Sequence, residues 1–256
     1  MNDSKSRPER IASHVRLMPP SGIREFFDIV STMKDVISLG IGEPDFVTPW
    51  HIRESAIFSL ERGATSYTSN LGLLSLRQAL ARYVERVFHA SYDPTKEILV
   101  TVGVSEALDL VMRAILEPGD EVIFHEPCYV SYAPVITLAY GKPVAIQTDP
   151  ARHFVLTAQQ VADHITPRTR AIILNYPNNP TGAVLPLEEL KGIAALAQRH
   201  DLLVIADDIY AELTYDGTHV SMASLPGMRD RTIFLHGFSK AWAMTGFRLE
   251  IGRAHV

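Results

Sequence analysis

From residue 97 onward, short aliphatic runs alternate with longer amphipathic stretches, and this constrains the fold more than any other feature of the chain. Ile98-Leu99-Val100-Thr101-Val102, Glu121-Val122-Ile123-Phe124, Val144-Ala145-Ile146, Ala171-Ile172-Ile173-Leu174, Leu202-Leu203-Val204-Ile205-Ala206 and Thr232-Ile233-Phe234-Leu235 read as strands. Residues 105–115, 130–139 and 187–199 read as helices, and Pro118-Gly119-Asp120 as a turn. Strands this apolar have no polar face to give to water. They belong in a mostly parallel central sheet flanked by helices, an α/β fold. Ligands of such sheets sit at the carboxyl ends of the strands. That directs attention to the loops at 103–105, 175–182, 207–210 and 237–240.

Ahead of this region, residues 1–20 form a polar arm ending in Pro19-Pro20. Ser21 is placed to cap a helix with Ile23, Phe26, Phe27 and Val30 on one face. The apolar run from Val36 to Ile41 leads into a loop, Gly42-Glu43-Pro44-Asp45. Thr48-Pro49 reads as the cap and first turn of a helix with Ile52, Ala56, Ile57 and Leu60 inward. A further helix after Gly72 is expected to bury Leu76, Leu80, Tyr83 and Val87.

The 256 residues are 46% hydrophobic, enough for one large α/β core. The net charge of −5 offers no broad basic surface to nucleic acid or an acidic membrane. The single cysteine, Cys128, excludes an intrachain disulfide and fits a reducing, cytoplasmic compartment. No apolar run approaches the roughly 18 residues of a membrane span, and no signal peptide is expected. The ten histidines show no metal-ligand spacing with cysteine or glutamate, so no metal is expected. Cys128 has no histidine near it in sequence and reads as a small filler.

Four strand-end segments carry chemistry. Lys240 stands in Gly237-Phe238-Ser239-Lys240-Ala241-Trp242, among small and aromatic residues. Such surroundings disfavour an ammonium and favour a nucleophilic amine, suited to an aldehyde cofactor. Ser239 and Arg248 are placed to hold a phosphate on it. His236 lies nearby, and nothing in the sequence tells it from packing. Gly103-Val104-Ser105 joins a strand to a helix, where free N–H groups form an anion site. Asn178-Asn179-Pro180-Thr181-Gly182 is a tight turn that would aim Asn179 into the cleft. Asp207 ends a buried strand, where a carboxylate needs a cationic partner or a helix to cap. A pyridinium at 4 Å would supply about 4 kcal/mol at an effective dielectric of 20. That is worth roughly 3 pK units. Tyr129 is placed either to stack on a cofactor ring or to fill the core. Each signal is modest by itself.

Together they resemble the fold-type I, pyridoxal-phosphate-dependent aminotransferases of class I/II. The resemblance spans about 21–249. It rests on Gly40-Ile41-Gly42-Glu43-Pro44-Asp45-Phe46, Tyr67-Thr68 with Leu71-Gly72, Thr101-Val102-Gly103, Asn178 to Gly182, Asp207-Asp208-Ile209-Tyr210, and Ser239-Lys240 with Arg248. It implies pyridoxal 5'-phosphate (PLP) as cofactor and amino-group transfer from an amino acid to a 2-oxo acid by a ping-pong route. Lys240 would bond the cofactor aldehyde and later carry a proton between the substrate's α-carbon and the cofactor. Asp207 would pair with the ring nitrogen, Tyr210 and Asn179 would hydrogen-bond the phenolic oxygen, and Tyr129 would stack on the ring. Val104, Ser105, Ser239 and Arg248 would bind the phosphate. Tyr67 would reach the phosphate of a neighbouring subunit, implying a homodimer, and Gly42 would lie beside the substrate carboxylate. Two alternatives share the fold: a carbon–sulfur β-lyase using the same lysine, and a non-catalytic ligand sensor.

The implied organisation is an N-terminal arm and small-domain segment at 1–40 and a cofactor-binding large domain at 41–249. The final stretch, 250–256, is set apart. Glu250-Ile251-Gly252-Arg253-Ala254-His255-Val256 can be encoded by GAG ATC GGA AGA GCA CAC GTC, which contains the start of a widely used sequencing adapter. These seven residues are therefore expected to be non-native. The family's chain continues beyond this point to complete a small domain, so an inactive fragment is the remaining expectation.

Overall fold

Seven strands form one sheet in the order β1-β7-β6-β5-β4-β2-β3. They are β1 (Leu99–Thr101), β2 (Glu121–Glu126), β3 (Lys142–Gln147), β4 (Thr169–Leu174), β5 (Leu203–Asp207), β6 (Thr232–Gly237) and β7 (Glu250–Gly252). The five strands from β2 to β6 are mutually parallel, as the aliphatic runs required. The computed structural model describes residues 42–252, together with 10–16, 18, 29 and 33. The chain divides into two compact units, 1–42 and 43–256, two residues beyond the boundary read from the sequence. The expected helix face of Ile23, Phe26, Phe27 and Val30, and the run from Val36 to Ile41, lie outside the described residues. Among the described residues of the first unit, Ser13–Arg16 forms a helical turn, α1.

The second unit adds α2 (Trp50–Glu61), α3 (Leu74–Phe88), α4 (Val104–Ile115), α5 (Tyr132–Leu138), α6 (Ala158–Ala162) and α7 (Leu187–Arg199). Alternate residues of each central strand enter opposite cores. Ile172, Leu174 and Val204 pack with Leu190, Ile193, Ala194 and Ala197 of α7. Ala171, Ile173, Ile205 and Ile233 pack with Ala107, Leu108, Val111 and Met112 of α4, and with Tyr132 and Ile136 of α5. Both faces are covered, so polar alternation is absent from these strands. Among the described residues, no helix is long and apolar enough to cross a membrane.

Four local expectations are corrected. Helix α5 begins at Tyr132 rather than Val130, because the ring of Pro134 opposes the carbonyl four residues back and confines Pro134 to a first turn. The buried face of α3 is Arg77, Leu80, Val84 and Phe88, while Val87 is exposed. Both sets fit a helical period, and Arg77 is admitted because its guanidinium donates to the carbonyls of Gly72 and Pro94. The expected apolar face of α2 is only partly inward: Ile52 and Ala56 are half-buried, but Ile57 and Leu60 are exposed, with Trp50 and Phe58. Thr48 does not cap α2. Its hydroxyl donates instead to the Ala243 carbonyl at 2.6 Å, just past the lysine turn.

Glu250–Gly252, set apart by its sequence, forms a strand antiparallel to both β1 and β6. Ladder hydrogen bonds are made by backbone and are indifferent to side-chain identity. The pairing therefore carries no argument about the origin of these residues.

At the far end of the sheet, Glu121 is buried and accepts from Thr166 (2.5 Å), Lys142 (2.9 Å) and Arg168 (2.9 Å). The Thr166 hydroxyl and then Lys142 hold its pKa down at about 2, against the cost of burial. A depressed folded-state pKa stabilises above the unfolded value and loses that contribution as pH falls through the folded one. The loss is expected between pH ~4.5 and ~2. Both cations are largely exposed, so screening limits the contribution to about 1–2 kcal/mol. Unfolding curves of the chain and of Glu121→Gln should differ at neutral pH and converge towards the acid end. Curves that stay parallel across that window would refute the assignment.

Candidate active site

The carboxyl ends of β1, β2, β4, β5 and β6 gather the side chains singled out by sequence. Asp207 is the last residue of β5 and is buried. It caps no helix: the helical turn that follows starts after Tyr210. Its Oδ2 accepts from the Tyr132 hydroxyl at 2.6 Å. Its backbone carbonyl accepts from Asn175 Nδ2 at 2.8 Å. Burial, and then the Asp207 charge, push the Tyr132 phenol well above its ordinary pKa, so Tyr132 remains a donor.

Tyr210 lies three residues on. Its hydroxyl accepts from Asn179 Nδ2 at 3.3 Å. Burial and then Asp207 push its pKa up to about 12. Asn179 is set by its turn. Asn179 N donates to Asn175 Oδ1 at 3.0 Å, and Asn178 Oδ1 accepts from the Thr181 hydroxyl at 2.8 Å. Asn175 therefore bridges two strand ends, holding the Asp207 carbonyl with one side-chain atom and the Asn179 backbone with the other.

Ser239 is buried and Lys240 half-buried, on a turn that leaves β6. Backbone bonds from Trp242 to Phe238 (3.3 Å), Ala243 to Lys240 (3.3 Å) and Met244 to Ser239 (3.1 Å) brace that turn. Lys240 Nζ stands 5.8 Å from the centre of the Tyr210 ring, within reach of a cation–π contact. The amine, the Tyr210 phenol and the Asp207 carboxylate thus occupy adjacent strand ends.

Across from them, Gly103 precedes α4 with φ +92°, a conformation that L side chains rarely adopt. A Cβ there would collide with Arg248 Nη2. The guanidinium therefore rests in the space that the glycine leaves open. Gly103 offers no side-chain cap to α4, so among the described residues the first N–H groups of the helix, those of Val104 and Ser105 included, have no capping side chain. Ser105 Oγ lies 3.3 Å from the Tyr129 hydroxyl, which ties the half-buried Tyr129 to the same corner. Helix N–H groups, serine hydroxyls and a guanidinium form a donor set for a phosphate.

Gly103→Ala is expected to displace Arg248 and strain the backbone. Removing one charge-assisted hydrogen bond should weaken inorganic phosphate binding roughly tenfold. Titration calorimetry reads this directly, and unchanged affinity would remove Arg248 from the cradle.

The structure thus brings together Lys240, Ser239, Asp207, Tyr210, Asn179, Tyr129, Val104, Ser105 and Arg248. It does not bring in Tyr67, which is fully exposed. Gly42 is the last residue of the first unit. Sequence reasoning missed Tyr132. An aromatic residue near a helix start carries no mark of its use, and only the fold reveals its bond to Asp207. Cys128 is half-buried, and burial raises its pKa to about 12, as suits a filler rather than a nucleophile. Among the described residues, no three His, Cys, Asp or Glu side chains gather as a metal site.

Comparison with known proteins gives the arrangement its context. The family model for aminotransferase class I and II matches residues 34–252. A putative aminotransferase of Bacillus subtilis, YugH, is 52% identical over 95% of this chain and 63% of its own length. An aspartate aminotransferase of Pyrococcus abyssi is 47% identical over 93% of this chain and 62% of its own. The Thermus thermophilus aspartate aminotransferase solved with maleate superposes with a TM-score of 0.90 at 38% identity, covering 96% of this chain and 65% of that one. The chain spans under two thirds of the length of these relatives. With the family model covering most of the sequence, and the strand ends arranged as described, the chain belongs to the aminotransferase class I and II family.

Proposed function

We propose that this chain is the cofactor-binding large domain of a PLP-dependent aminotransferase, which moves an amino group from an amino acid to a 2-oxo acid. The observation that carries the reading is the meeting of Lys240, Tyr210 and Asp207 opposite an uncapped helix N-terminus backed by Arg248. The family is PLP-dependent, and the donor set fits that group at both ends. When bound, PLP supplies an aldehyde carbon for the amine and an aromatic ring that accepts electron density.

Each residue then has one task. Lys240 Nζ would bond the cofactor's aldehyde carbon and, as a free amine, would take the proton from the substrate's α-carbon. Asp207 would offer its negative charge to the ring nitrogen, and Tyr132 keeps that carboxylate aimed. Tyr210 and Asn179, already bonded to one another, would present donors to the phenolic oxygen. Val104, Ser105, Ser239 and Arg248 would hold the phosphate, and Tyr129 would stack on the ring.

A homodimer is the proposed active form. Tyr67, exposed in the single chain, would serve the neighbouring subunit's phosphate, and Gly42 would lie beside the substrate carboxylate. The exposed Trp50, Phe58 and Leu60 of α2 support burial of that face in an assembly.

The test is chemical. The chain is incubated with PLP, reduced with borohydride to trap the lysine–aldehyde bond as a secondary amine, and digested. The label is expected on the peptide carrying Lys240. Label spread over surface lysines, or none, would sink the proposal.

A further inference from the structure

His236, which the sequence could not tell from packing, is fully buried two residues before Phe238 and four before Lys240. Its Nδ1 lies 2.9 Å from the carbonyl oxygen of Asp208. A carbonyl only accepts, so Nδ1 carries the proton. That carbonyl belongs to the residue after Asp207, beyond the last ladder pair of β5. Asn175 of the flanking segment holds the Asp207 carbonyl in the same way. Both carbonyls at the end of β5 are thus held by a side chain, one from beyond β4 and one from β6.

The other nitrogen of His236 carries no proton. Nε2 stands 3.3 Å from the Tyr83 hydroxyl, whose one proton goes to Glu212 Oε1, so this side of the ring is packed rather than hydrogen-bonded. Burial, and then Glu212, raise the Tyr83 pKa, so the phenol keeps its proton. Glu212 lies two residues past Tyr210. The imidazole is stacked on the Tyr83 ring (5.8 Å, 15°) and meets Phe88 and Trp242 edge-on. It has one packed position.

We propose that His236 is a positioning residue for the cofactor site. Through the Asp208 carbonyl it holds the segment that follows Asp207 against β6. It thereby sets where the Asp207 carboxylate and the Tyr210 phenol stand relative to Lys240. The inference rests on the proposed function. It also makes a distinction: His236 acts on residues that meet the cofactor ring, not on those that hold the phosphate.

The test uses three variants and two probes, PLP and inorganic phosphate. In His236→Leu, loss of one positioning hydrogen bond should weaken PLP binding about tenfold, with phosphate affinity unchanged within roughly twofold. His236→Asn keeps an N–H near the Nδ1 position and should recover most of the loss. His236→Gln places its amide at the Nε2 position, leaves the Asp208 carbonyl unbonded, and should weaken PLP about as much as His236→Leu. Equal losses for both probes would mean a general structural role and overturn the inference. So would wild-type PLP affinity in His236→Leu, or no recovery in His236→Asn. If His236→Leu does not fold, His236→Gln decides, and unchanged PLP affinity there overturns the inference. An unaltered chain that fails to bind PLP overturns the functional reading and this inference with it. Unaltered binding that His236→Leu leaves intact overturns this inference alone.

Discussion

Lys240→Ala is expected to abolish the visible absorbance that PLP acquires on binding and to lower turnover of the complete protein by roughly ten-thousand-fold or more, since it removes both nucleophile and proton carrier. The alanine should be tolerated structurally. Lys240 is only half-buried, and the turn is braced by backbone bonds that do not involve its side chain. Phosphate affinity should survive, because Ser239, Arg248 and the start of α4 are untouched. That combination, anion binding kept and absorbance abolished, separates a chemical role from a folding defect. Spectrophotometric titration of the variant with PLP, beside a transamination assay, provides the check. A variant that turned over near the unaltered rate would remove Lys240 from the chemistry.

Most of the sheet was legible because burial on both faces forces unbroken aliphatic runs, and Ile172, Val204 and Ile233 announce themselves that way. Candidate site residues stood out in sequence where a residue type is costly in its surroundings, as with a carboxylate at Asp207 or an amine among Phe238 and Trp242. What was not legible depends on partners far along the chain. Tyr132 reaches Asp207 across 75 residues, and Thr48 reaches Ala243 across 195. No local pattern encodes either contact. Strand β7 is three residues long, too short for periodicity to register. On α3, Val84 and Phe88 rather than Val87 are buried beside Arg77, whose burial depends on two carbonyls placed by tertiary structure. Helix α6 is a different case, because its signal was present. Thr157 and Gln160 form a capping box in the structure, and Thr-x-x-Gln is a readable start.

Asp207→Asn is expected to leave Lys240 able to trap the cofactor and to lower turnover of the complete protein by about a thousandfold. The amide is nearly isosteric with the carboxylate, and its Oδ1 can still accept from the Tyr132 hydroxyl that now meets Oδ2. Packing and the Asn175 contact to the Asp207 carbonyl are kept, since that contact involves backbone. What is removed is the charge. At about 4 Å and an effective dielectric of 20, that charge is worth about 4 kcal/mol to a protonated ring nitrogen. The loss corresponds to roughly 3 pK units. At neutral pH it moves a weakly basic nitrogen from protonated to largely unprotonated. Such a ring would withdraw fewer electrons from the substrate's α-carbon, and proton removal by Lys240 in its proposed role would slow. Asp207→Glu restores the charge in a displaced position and should recover part of the rate. The measurement is kcat for each variant, together with borohydride trapping to confirm that the lysine bond still forms. Turnover in Asp207→Asn within tenfold of the unaltered protein would show that the buried carboxylate serves the strand end and not the ring.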